Sequence, residues 1–278
     1  MSTSDDPPPP PITTRSVWAH NLAAEFRIIR DVIDRFPYVS MDTEFPGVVY
    51  RQDYRSIDPF DHYQTLKSNV DALKLIQVGI TLTDEFGNLP DLGLNNNRFI
   101  WEFNLADFDL VNDDHVPASI DLLRQQGINF DKNRKDGIKC SRFGDLMMSS
   151  GLVCNDYVTY VTFHGAYDFG YLIKTLTGRG LPGTLSGFLE LLRVFFGERV
   201  YDVKHLMRYC RSYLHGGLNR VAETLALERK VGKSHQSGSD SLLTWDAFEK
   251  IRMDYFDGDD EMLQKYAGVL FGLDVLSA

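Results

Sequence analysis

The spacing of hydrophobic and polar residues predicts a helix and three strands in the first third of the chain. An amphipathic helix is predicted for VWAHNLAAEFRIIRDVIDRF, where apolar residues recur at helical spacing. Three β-rich segments follow, YVSMDTEF, LKLIQVGITLTD and RFIWEFNL, and turn residues separate them. Strands joined in this order by short turns predict an antiparallel meander. The stretch DLGLNNN before the third strand is predicted to be a mobile loop.

Helical patterns dominate the chain after Pro117. They cover ASIDLLRQQ, SRFGDLMMSS, FGYLIKTL, SGFLELLRVFF, VKHLMRYC, LNRVAETLAL, SLLTWDAFEKIRMDYF and EMLQKYAGVLFG. Two short β-rich segments, YVTYVTF and RVYDV, interrupt these helices. The mixed-charge segment NFDKNRKDGIK is interpreted as a solvated loop whose cations can also contact phosphates. Strands first, then helices that alternate with single strands, predict an α/β fold with helices packed on a mixed sheet.

Residues 15–278 are interpreted as one domain, because no internal repeat or interior linker interrupts the pattern. Residues 1–14 include five consecutive prolines and are predicted to be a disordered tail. No apolar run is long enough to span a bilayer, and the N-terminus lacks the features of a secretory signal, so no membrane partner is expected. Three well-separated cysteines predict reduced thiols in a cytoplasmic or nuclear protein: Cys140, Cys154 and Cys210.

The charge of the chain restricts how it can bind nucleic acid. The 278 residues carry a formal net charge of −10. This charge argues against a protein that binds nucleic acid through a broad basic surface. It leaves open a nucleic-acid enzyme in which metal ions supply positive charge locally.

Two carboxylates lie one residue apart in the strand YVSMDTEF. Side chains alternate along a strand, so Asp42 and Glu44 are predicted to share one face, with Thr43 on the other. Like charges this close favour a bound proton or a cation between them. Hard oxygen ligands of this kind suit Mg²⁺ or Mn²⁺. The alternative is an edge strand whose polar face is exposed to solvent. Taken alone, the Asp42–Glu44 pair favours this alternative.

Further acidic residues occur in similarly apolar surroundings. Asp168 lies near the start of the helix after YVTYVTF, where an aspartate can also cap the helix or interact with its dipole. Asp240 opens the predicted amphipathic helix SLLTWDAFEKIRMDYF, and His235 lies five residues earlier. Asp240 is equally open to capping, although Ser237 or Ser239 fits that role better. A histidine at this place can activate a water molecule near neutral pH.

Two other residues have structural interpretations. Asp202 in VYDVKHL is predicted to cap the helix that follows it. Phe45, beside the acidic pair, is predicted to be a core aromatic residue, with base stacking as the alternative.

Taken together, the acidic segments resemble a known enzyme family. MDTEFPG, FHGAYDFGYL and HQSGSDSLLT resemble, in this order, the three motifs of the DEDD exonucleases, in the subclass that carries a histidine. More narrowly, MDTEFPGVV, YDFGYLIK, YDVKHLM, GGLNRVAE and GSDSLLT resemble the Caf/Pop ribonucleases of the CCR–NOT deadenylase complex. The resemblance extends from about Val17 to about Leu273. The chain departs from the family at Gly165-Ala166, where Ser-Gly is common.

This resemblance implies an RNase H-like mixed sheet and a 3′-to-5′ exonuclease that removes poly(A) as 5′-AMP. It also implies two divalent ions, Mg²⁺ with Mn²⁺ able to substitute. Asp42 matches the ligand that bridges both ions, Glu44 and Asp240 match ligands of the first ion, and Asp168 matches the ligand of the second. His235 matches the residue that orients or deprotonates the attacking water. The preference for adenine rests on the resemblance alone.

The resemblance further implies the partners of the chain. These are the 3′ end of poly(A) RNA, a helical-repeat scaffold subunit and a second deadenylase of the complex, with antiproliferative adaptor proteins as further candidates. A DEDD exonuclease with another RNA or DNA substrate is one alternative. A largely non-catalytic scaffold subunit is another, and the presence of all four acidic residues argues against it.

Overall fold

A six-stranded β-sheet lies at the centre of the fold. The computed structural model describes residues 10–51, 58–93, 97–210 and 214–274. The strands of the sheet are β1 (Ile12–Val17), β2 (Tyr38–Glu44), β3 (Gln77–Thr83), β4 (Arg98–Asn104), β5 (Thr159–Thr162) and β6 (Val200–Asp202). They are arranged in the order β1-β4-β3-β2-β5-β6. The β2–β3 and β3–β4 pairs are antiparallel, and the other pairs are parallel. The predicted mixed sheet with an antiparallel meander is therefore confirmed.

Helices cover both faces of this sheet. Those within the described ranges are α1 (Leu22–Val32), α2 (Pro59–Ala72), α3 (Pro117–Gln125), α4 (Phe130–Asp136), α5 (Cys140–Met148), α6 (Ala166–Thr177), α7 (Leu185–Phe196), α8 (Val203–Leu206), α9 (Leu218–Thr224), α10 (Ser237–Phe256) and α11 (Asp260–Gln264). The largest core lies between the sheet and helices α1, α2, α5, α6 and α7. Helix α10 covers the opposite face. None of these helices is both long and apolar enough to cross a membrane.

The two faces of β2 therefore have different neighbours. Val39 and Met41 point into the largest core, because alternate residues of a strand share a face. Ser40 points the other way and donates its hydroxyl to the carbonyl oxygen of Ser241 in α10, at 2.6 Å. Thr81 of β3 forms a second hydroxyl contact with Ser241, at 2.8 Å. Hydrogen bonds thus anchor α10 to the centre of the sheet.

The amphipathic pattern predicted for helix α10 is found only in its second half, where Lys250 and Asp254 are exposed and Phe248 and Ile251 are buried. Residues 237–245 are buried on all sides. The sheet lies beneath this part of the helix, and α8 and α9 pack against it as well. Small and hydroxylated residues in this part of the helix make the close packing possible.

The start of the sheet and the β2–β3 connection correct two predictions. Ile12–Thr14, which were assigned to the disordered tail, form the first half of β1 and pair in parallel with β4 at the sheet edge. Residues 1–9 of that tail lie outside the described residues. The connection between β2 and β3 is not a short turn, because it contains α2. Asp58 caps α2 by accepting from the backbone N–H of Phe60 at 3.0 Å.

NFDKNRKDGIK contains α4 and is not a loop, since Asn129 caps a helix there. Arg134 in α4 forms an ion pair with Asp109, and the Lys132 amine lies 3.0 Å from the centre of the Trp18 ring. These two cations therefore have partners within the protein. Residues 94–96 of the predicted mobile loop lie outside the described residues.

Asp202, at the end of β6, ties three segments of the chain together. The predicted helix cap is confirmed, since its carboxylate accepts from the backbone N–H of Lys204 at 3.0 Å. It also accepts from the backbone N–H groups of His164, Gly165 and Phe271, at 2.8, 3.2 and 3.0 Å. The residue is completely buried. Because the His164–Gly165 turn leads directly into α6, Asp202 fixes where that helix begins.

Replacing Asp202 with alanine is expected to lower the free energy of unfolding by about 3 kcal/mol, because four backbone N–H groups lose their acceptor. Urea denaturation would measure this loss. Asp84→Ala is the matched control, since Asp84 accepts from the N–H groups of Phe86 and Asn88 in an exposed turn. Its loss should stay below about 1 kcal/mol. Equal losses in the two variants would contradict the assigned role of Asp202.

Candidate active site

Three carboxylates and a histidine meet where β2 ends and α10 begins. Asp42 and Glu44 project from the face of β2 that α10 covers, as strand alternation predicts. Asp240 lies in the first turn of α10 and His235 in the loop before it. The candidate ligand atoms of Glu44, His235 and Asp240 all lie within 4.8 Å of one another. His235 Nδ1 is 3.8 Å from Glu44 Oε1, and Asp42 lines the same cavity.

Asp168 reaches this region from the other face of the sheet. It lies in the first turn of α6, and it is buried. The hydroxyl of Thr43 donates to Asp168 Oδ1 at 2.5 Å. Asp168 does not line the cavity that the other predicted site residues share. The predicted site is therefore built in two parts, one around the cavity and one at the Thr43–Asp168 contact.

Two residues of β3 that lie outside the acidic motifs bring α10 close to the acidic pair. Gly79 pairs with Asp42 on one side and Glu102 on the other. A Cβ at Gly79 would lie 1.9 Å from the carbonyl oxygen of Ser237, so only glycine permits this approach. Gln77 Oε1 accepts from both the N–H and the hydroxyl of Ser237, each at 3.0 Å. A glycine inside an apolar strand was the available signal.

The predicted serine cap of α10 is wrong. The N-cap residue is Gln236, and its side chain forms no capping hydrogen bond. Ser237 donates its hydroxyl to Gln77 on the sheet instead. Ser239 donates its hydroxyl to the carbonyl of Val231 and accepts from Arg229, both at 2.5 Å. The two serines bind neighbouring segments, which leaves the first turn of the helix to Asp240.

The two oxygens of the Asp240 carboxylate have different partners. Oδ2 accepts from the backbone N–H of His235 at 2.8 Å. This bond supports the left-handed backbone of His235, whose φ is 59°. Oδ1 forms an ion pair with Arg229 Nη2 at 2.6 Å, but it is buried and has no partner with hydrogen-bond geometry. The chain therefore places Asp240 next to His235 and leaves one oxygen with unused acceptor capacity.

A cavity of about 510 Å³ adjoins the acidic residues. This volume is in the range of small-molecule sites. Phe45 lies in its wall and also stacks on Tyr167 of the core, with ring centres 5.2 Å apart. The remaining walls are mostly apolar: Gly47, Val48, Arg51, Ser119, Leu122, Leu123, Phe163 and Leu218. The cavity thus combines an acidic end with mostly apolar walls.

Burial and mutual repulsion raise the pKa values of these acids. Burial is the main cause that raises the pKa of Asp42. The charges of its acidic neighbours raise this pKa further, to well above the usual range. Burial likewise raises the pKa of Glu44, with Asp240 and Asp168 adding to it. Burial raises the pKa of Asp168 to about 7, although hydrogen bonds from Thr43 oppose that rise. Without added positive charge, the acids hold protons or repel one another.

The residues present fit a divalent cation. A carboxylate oxygen from each of Glu44 and Asp240 and an imidazole nitrogen of His235 lie within 4.8 Å of one another, and hard cations accept carboxylate oxygens as ligands. The buried Asp240 Oδ1 lacks a hydrogen bond, and the raised pKa values indicate uncompensated negative charge. Asp42, Glu44 and Asp240 are the residues that could hold such an ion, and Asp168 lies next to them at the Thr43 contact.

The Thr43 hydroxyl is expected to control the ionisation of Asp168. A hydrogen bond to a carboxylate favours its charged form, so Thr43→Val should raise the pKa of Asp168 further above about 7. Thr43→Ser keeps the hydroxyl and should preserve the wild-type pKa. Carbon-13 NMR titration of the carboxyl groups in the metal-free chain would measure both. An unchanged pKa in Thr43→Val would contradict the role of this contact.

Comparisons with known sequences identify relatives along nearly the whole chain. The sequence profile described as CAF1 family ribonuclease matches residues 17–142. The chain is 53% identical over 266 residues to the probable CCR4-associated factor 1 homolog 7 of Arabidopsis thaliana, with 95% of this chain and 94% of that relative covered. It is 44% identical over 261 residues to the poly(A) ribonuclease pop2 of Schizosaccharomyces pombe, with 92% and 74% covered.

Solved structures share the architecture described above. The Mg²⁺- and Mn²⁺-bound form of S. pombe Pop2p matches with a TM-score of 0.84 and 42% identity, covering 94% of this chain and 99% of that one. The structure of the yeast NOT1 MIF4G domain co-crystallized with CAF1 matches with a TM-score of 0.76 and 33% identity, covering 95% and 99%. These matches confirm the RNase H-like α/β class predicted from the sequence. On this evidence, the chain belongs to the CAF1 family of ribonucleases.

Proposed function

We propose that this chain is a metal-dependent, poly(A)-specific exoribonuclease that shortens RNA from the 3′ end and releases 5′-AMP. The observation that carries the proposal is the meeting of Asp42, Glu44, His235 and Asp240 around one cavity. Membership of the CAF1 family supports ribonuclease chemistry at this place. A relative that is named a poly(A) ribonuclease supports the choice of substrate.

The acidic residues are proposed to hold two divalent ions, Mg²⁺ or Mn²⁺, when the enzyme is loaded. Asp42, Glu44, Asp168 and Asp240 would be the ligands, and a relative in this family was solved with Mg²⁺ and Mn²⁺ bound. Two such ions supply positive charge that offsets the phosphate charge, activates water and stabilises the leaving oxygen. The ions also explain how a chain with a net charge of −10 can accept an anionic substrate.

The remaining residues of the cavity are proposed to orient the substrate and to move a proton. His235 has a side chain that is 44% exposed at the cavity, so its imidazole can take the proton from the attacking water. Asp240 fixes the backbone of His235 through its hydrogen bond. The apolar side chains of Leu122, Phe163 and Leu218 provide surfaces for the terminal base and ribose.

Digestion of an end-labelled RNA with a 3′ oligo(A) tail would test this proposal. With added Mg²⁺ we expect progressive 3′ shortening and release of 5′-AMP. Chelation by EDTA and the Asp42→Ala substitution should each stop the reaction. Activity that survives both treatments would contradict the metal mechanism. Equal digestion of oligo(U) or oligo(C) tails would indicate a general exonuclease rather than an enzyme for poly(A).

We also propose that the chain works as a subunit of a CCR–NOT complex. A CAF1 relative was co-crystallized with a NOT1 MIF4G domain, and another relative is named for its association with CCR4. A NOT1-type scaffold and a second deadenylase are therefore the proposed partners. Antiproliferative adaptor proteins, and a location in both cytoplasm and nucleus, are further proposals. Co-purification with a MIF4G domain would test the scaffold contact, and separate elution of the two would contradict it.

A further inference from the structure

Arg229, in the loop before α10, brings a positive charge to the acidic centre. Its Nη2 lies 2.6 Å from Asp240 Oδ1 and donates to Asn219 Oδ1 at 2.7 Å. Its Nη1 donates to the hydroxyl of Ser239 at 2.5 Å and to the carbonyl of Lys233 at 3.5 Å. The Arg229 side chain is only 18% exposed. Within the described ranges, no other arginine or lysine forms an ion pair with any of the four predicted acidic ligands.

The contacts of Arg229 join three segments that border the cavity. Asn219 lies in the first turn of α9, next to Leu218 of the cavity wall. Lys233 belongs to the loop that carries His235, and Ser239 and Asp240 lie in the first turn of α10. A guanidinium held by this many partners is a fixed charge rather than a mobile surface group. Its charge also extends to Asp42, where it opposes the rise in pKa that burial and the other acids cause.

Each oxygen of the Asp240 carboxylate already contacts another group of the protein. Oδ2 already accepts from the N–H of His235, and Oδ1 lies against Arg229. A divalent ion at this carboxylate would therefore meet a fixed positive charge beside the oxygen that it needs. Like charges in a partly buried site repel more strongly than in water.

We infer that Arg229 is an internal counter-cation that competes with the divalent ion for Asp240. In the metal-free chain it holds Asp240 and the His235 loop in place. When metal binds, the same charge opposes the ion, so Arg229 lowers the affinity of the site while keeping it ordered. This inference rests on the proposed metal-dependent function, and it makes Arg229 a positioning residue.

Calorimetric titration of Mn²⁺ into the full chain at pH 8 tests the competition. Arg229→Gln removes the charge and should bind Mn²⁺ roughly three- to tenfold more tightly than the wild type. The melting temperature of the metal-free variant should fall, because Asp240 and the loop lose their anchor. Lys230→Gln is the matched control, since Lys230 pairs with Asp246 at 2.7 Å and with none of the four acids. Its Mn²⁺ affinity should equal that of the wild type.

Three results would overturn the inference in distinguishable ways. Equal or weaker Mn²⁺ binding by Arg229→Gln would reject the competition while leaving the metal site intact. An equal gain in Mn²⁺ affinity in Lys230→Gln would show that the effect comes from the net charge of the chain rather than from the position of Arg229. Absence of Mn²⁺ binding by the wild type would reject the proposed metal centre itself, and the inference with it.

A second measurement uses the wild-type chain and does not depend on the variant folding. Nitrogen-15 NMR of the Arg229 guanidinium should show its resonance moving as Mg²⁺ saturates the site, because the contact with Asp240 weakens. A resonance that stays unchanged at saturation would overturn the competition.

Discussion

Asp42→Asn is expected to abolish RNA hydrolysis and, at the same time, to raise the melting temperature of the metal-free protein. Burial and repulsion from the other acids raise the pKa of Asp42, so its ionised form destabilises the folded chain. Asparagine keeps the shape of the side chain and removes the charge. We expect a gain of about 2–5 °C in the absence of metal. Hydrolysis should fall by roughly a thousandfold or more, because a metal ligand is lost.

The gain should depend on pH with a defined sign. A carboxyl group whose pKa is raised by folding contributes stability below its unfolded pKa, and this contribution is lost as pH rises through its folded pKa. The folded pKa is well above the usual range for Asp42 and about 7 for Asp168. The metal-free wild type should therefore lose stability from about pH 4 upward. The advantage of Asp42→Asn should be larger at pH 8 than at pH 5.

Scanning calorimetry in EDTA would measure the gain in melting temperature and its dependence on pH. Asp34→Asn is the matched control, because Asp34 is exposed and lies outside the acidic centre. Its melting temperature should stay near that of the wild type at both pH values. A lower metal-free melting temperature in Asp42→Asn would show that the Asp42–Glu44 pair is not repulsive.

Gly79→Ala is expected to lower the free energy of unfolding by about 3 kcal/mol or more, since overpacking against fixed atoms is costly. The new Cβ would lie 1.9 Å from the carbonyl oxygen of Ser237 and 2.4 Å from the backbone nitrogen of Gly238. Backbone atoms of a buried helix cannot rotate away as a side chain can. Helix α10 must move off the sheet, which also takes Asp240 away from Glu44 and should weaken Mn²⁺ binding.

Urea denaturation and Mn²⁺ calorimetry would measure these two losses. Gly183→Ala is the matched control, because a Cβ at Gly183 meets no atom within 4 Å. Its stability should stay within about 1 kcal/mol of the wild type. Wild-type stability and Mn²⁺ affinity in Gly79→Ala would show that close seating of α10 does not build the site.

Local patterns in the sequence predicted those features that depend on neighbours along the chain. Strand alternation placed Asp42 and Glu44 on one face, and the position of Asp202 before a helix predicted its cap. Helix α2 was not predicted, although Asp58 and Pro59 before it are typical helix-start signals.

Features that depend on distant segments could not be predicted in this way. Apolar residues at helical spacing predict a helix with one solvent-exposed face. The first half of α10 has no such face, because several elements pack around it. The partner of Asp168 is Thr43, which lies on the opposite face of β2 from the acidic pair. Arg229 has no motif of its own, and its role depends on contacts with α9 and α10 that only the folded chain creates.

A single titration tests the metal-dependent hydrolytic centre most directly. Mn²⁺ is added in steps to the EDTA-stripped chain, and bound Mn²⁺ and the rate of 3′ oligo(A) shortening are measured in the same sample. We expect no shortening without metal, a rate that rises with occupancy of the site, and no shortening by Asp42→Asn at any Mn²⁺ concentration. Shortening by the stripped wild type, or a wild-type rate in Asp42→Asn, would contradict a metal-dependent centre at these residues.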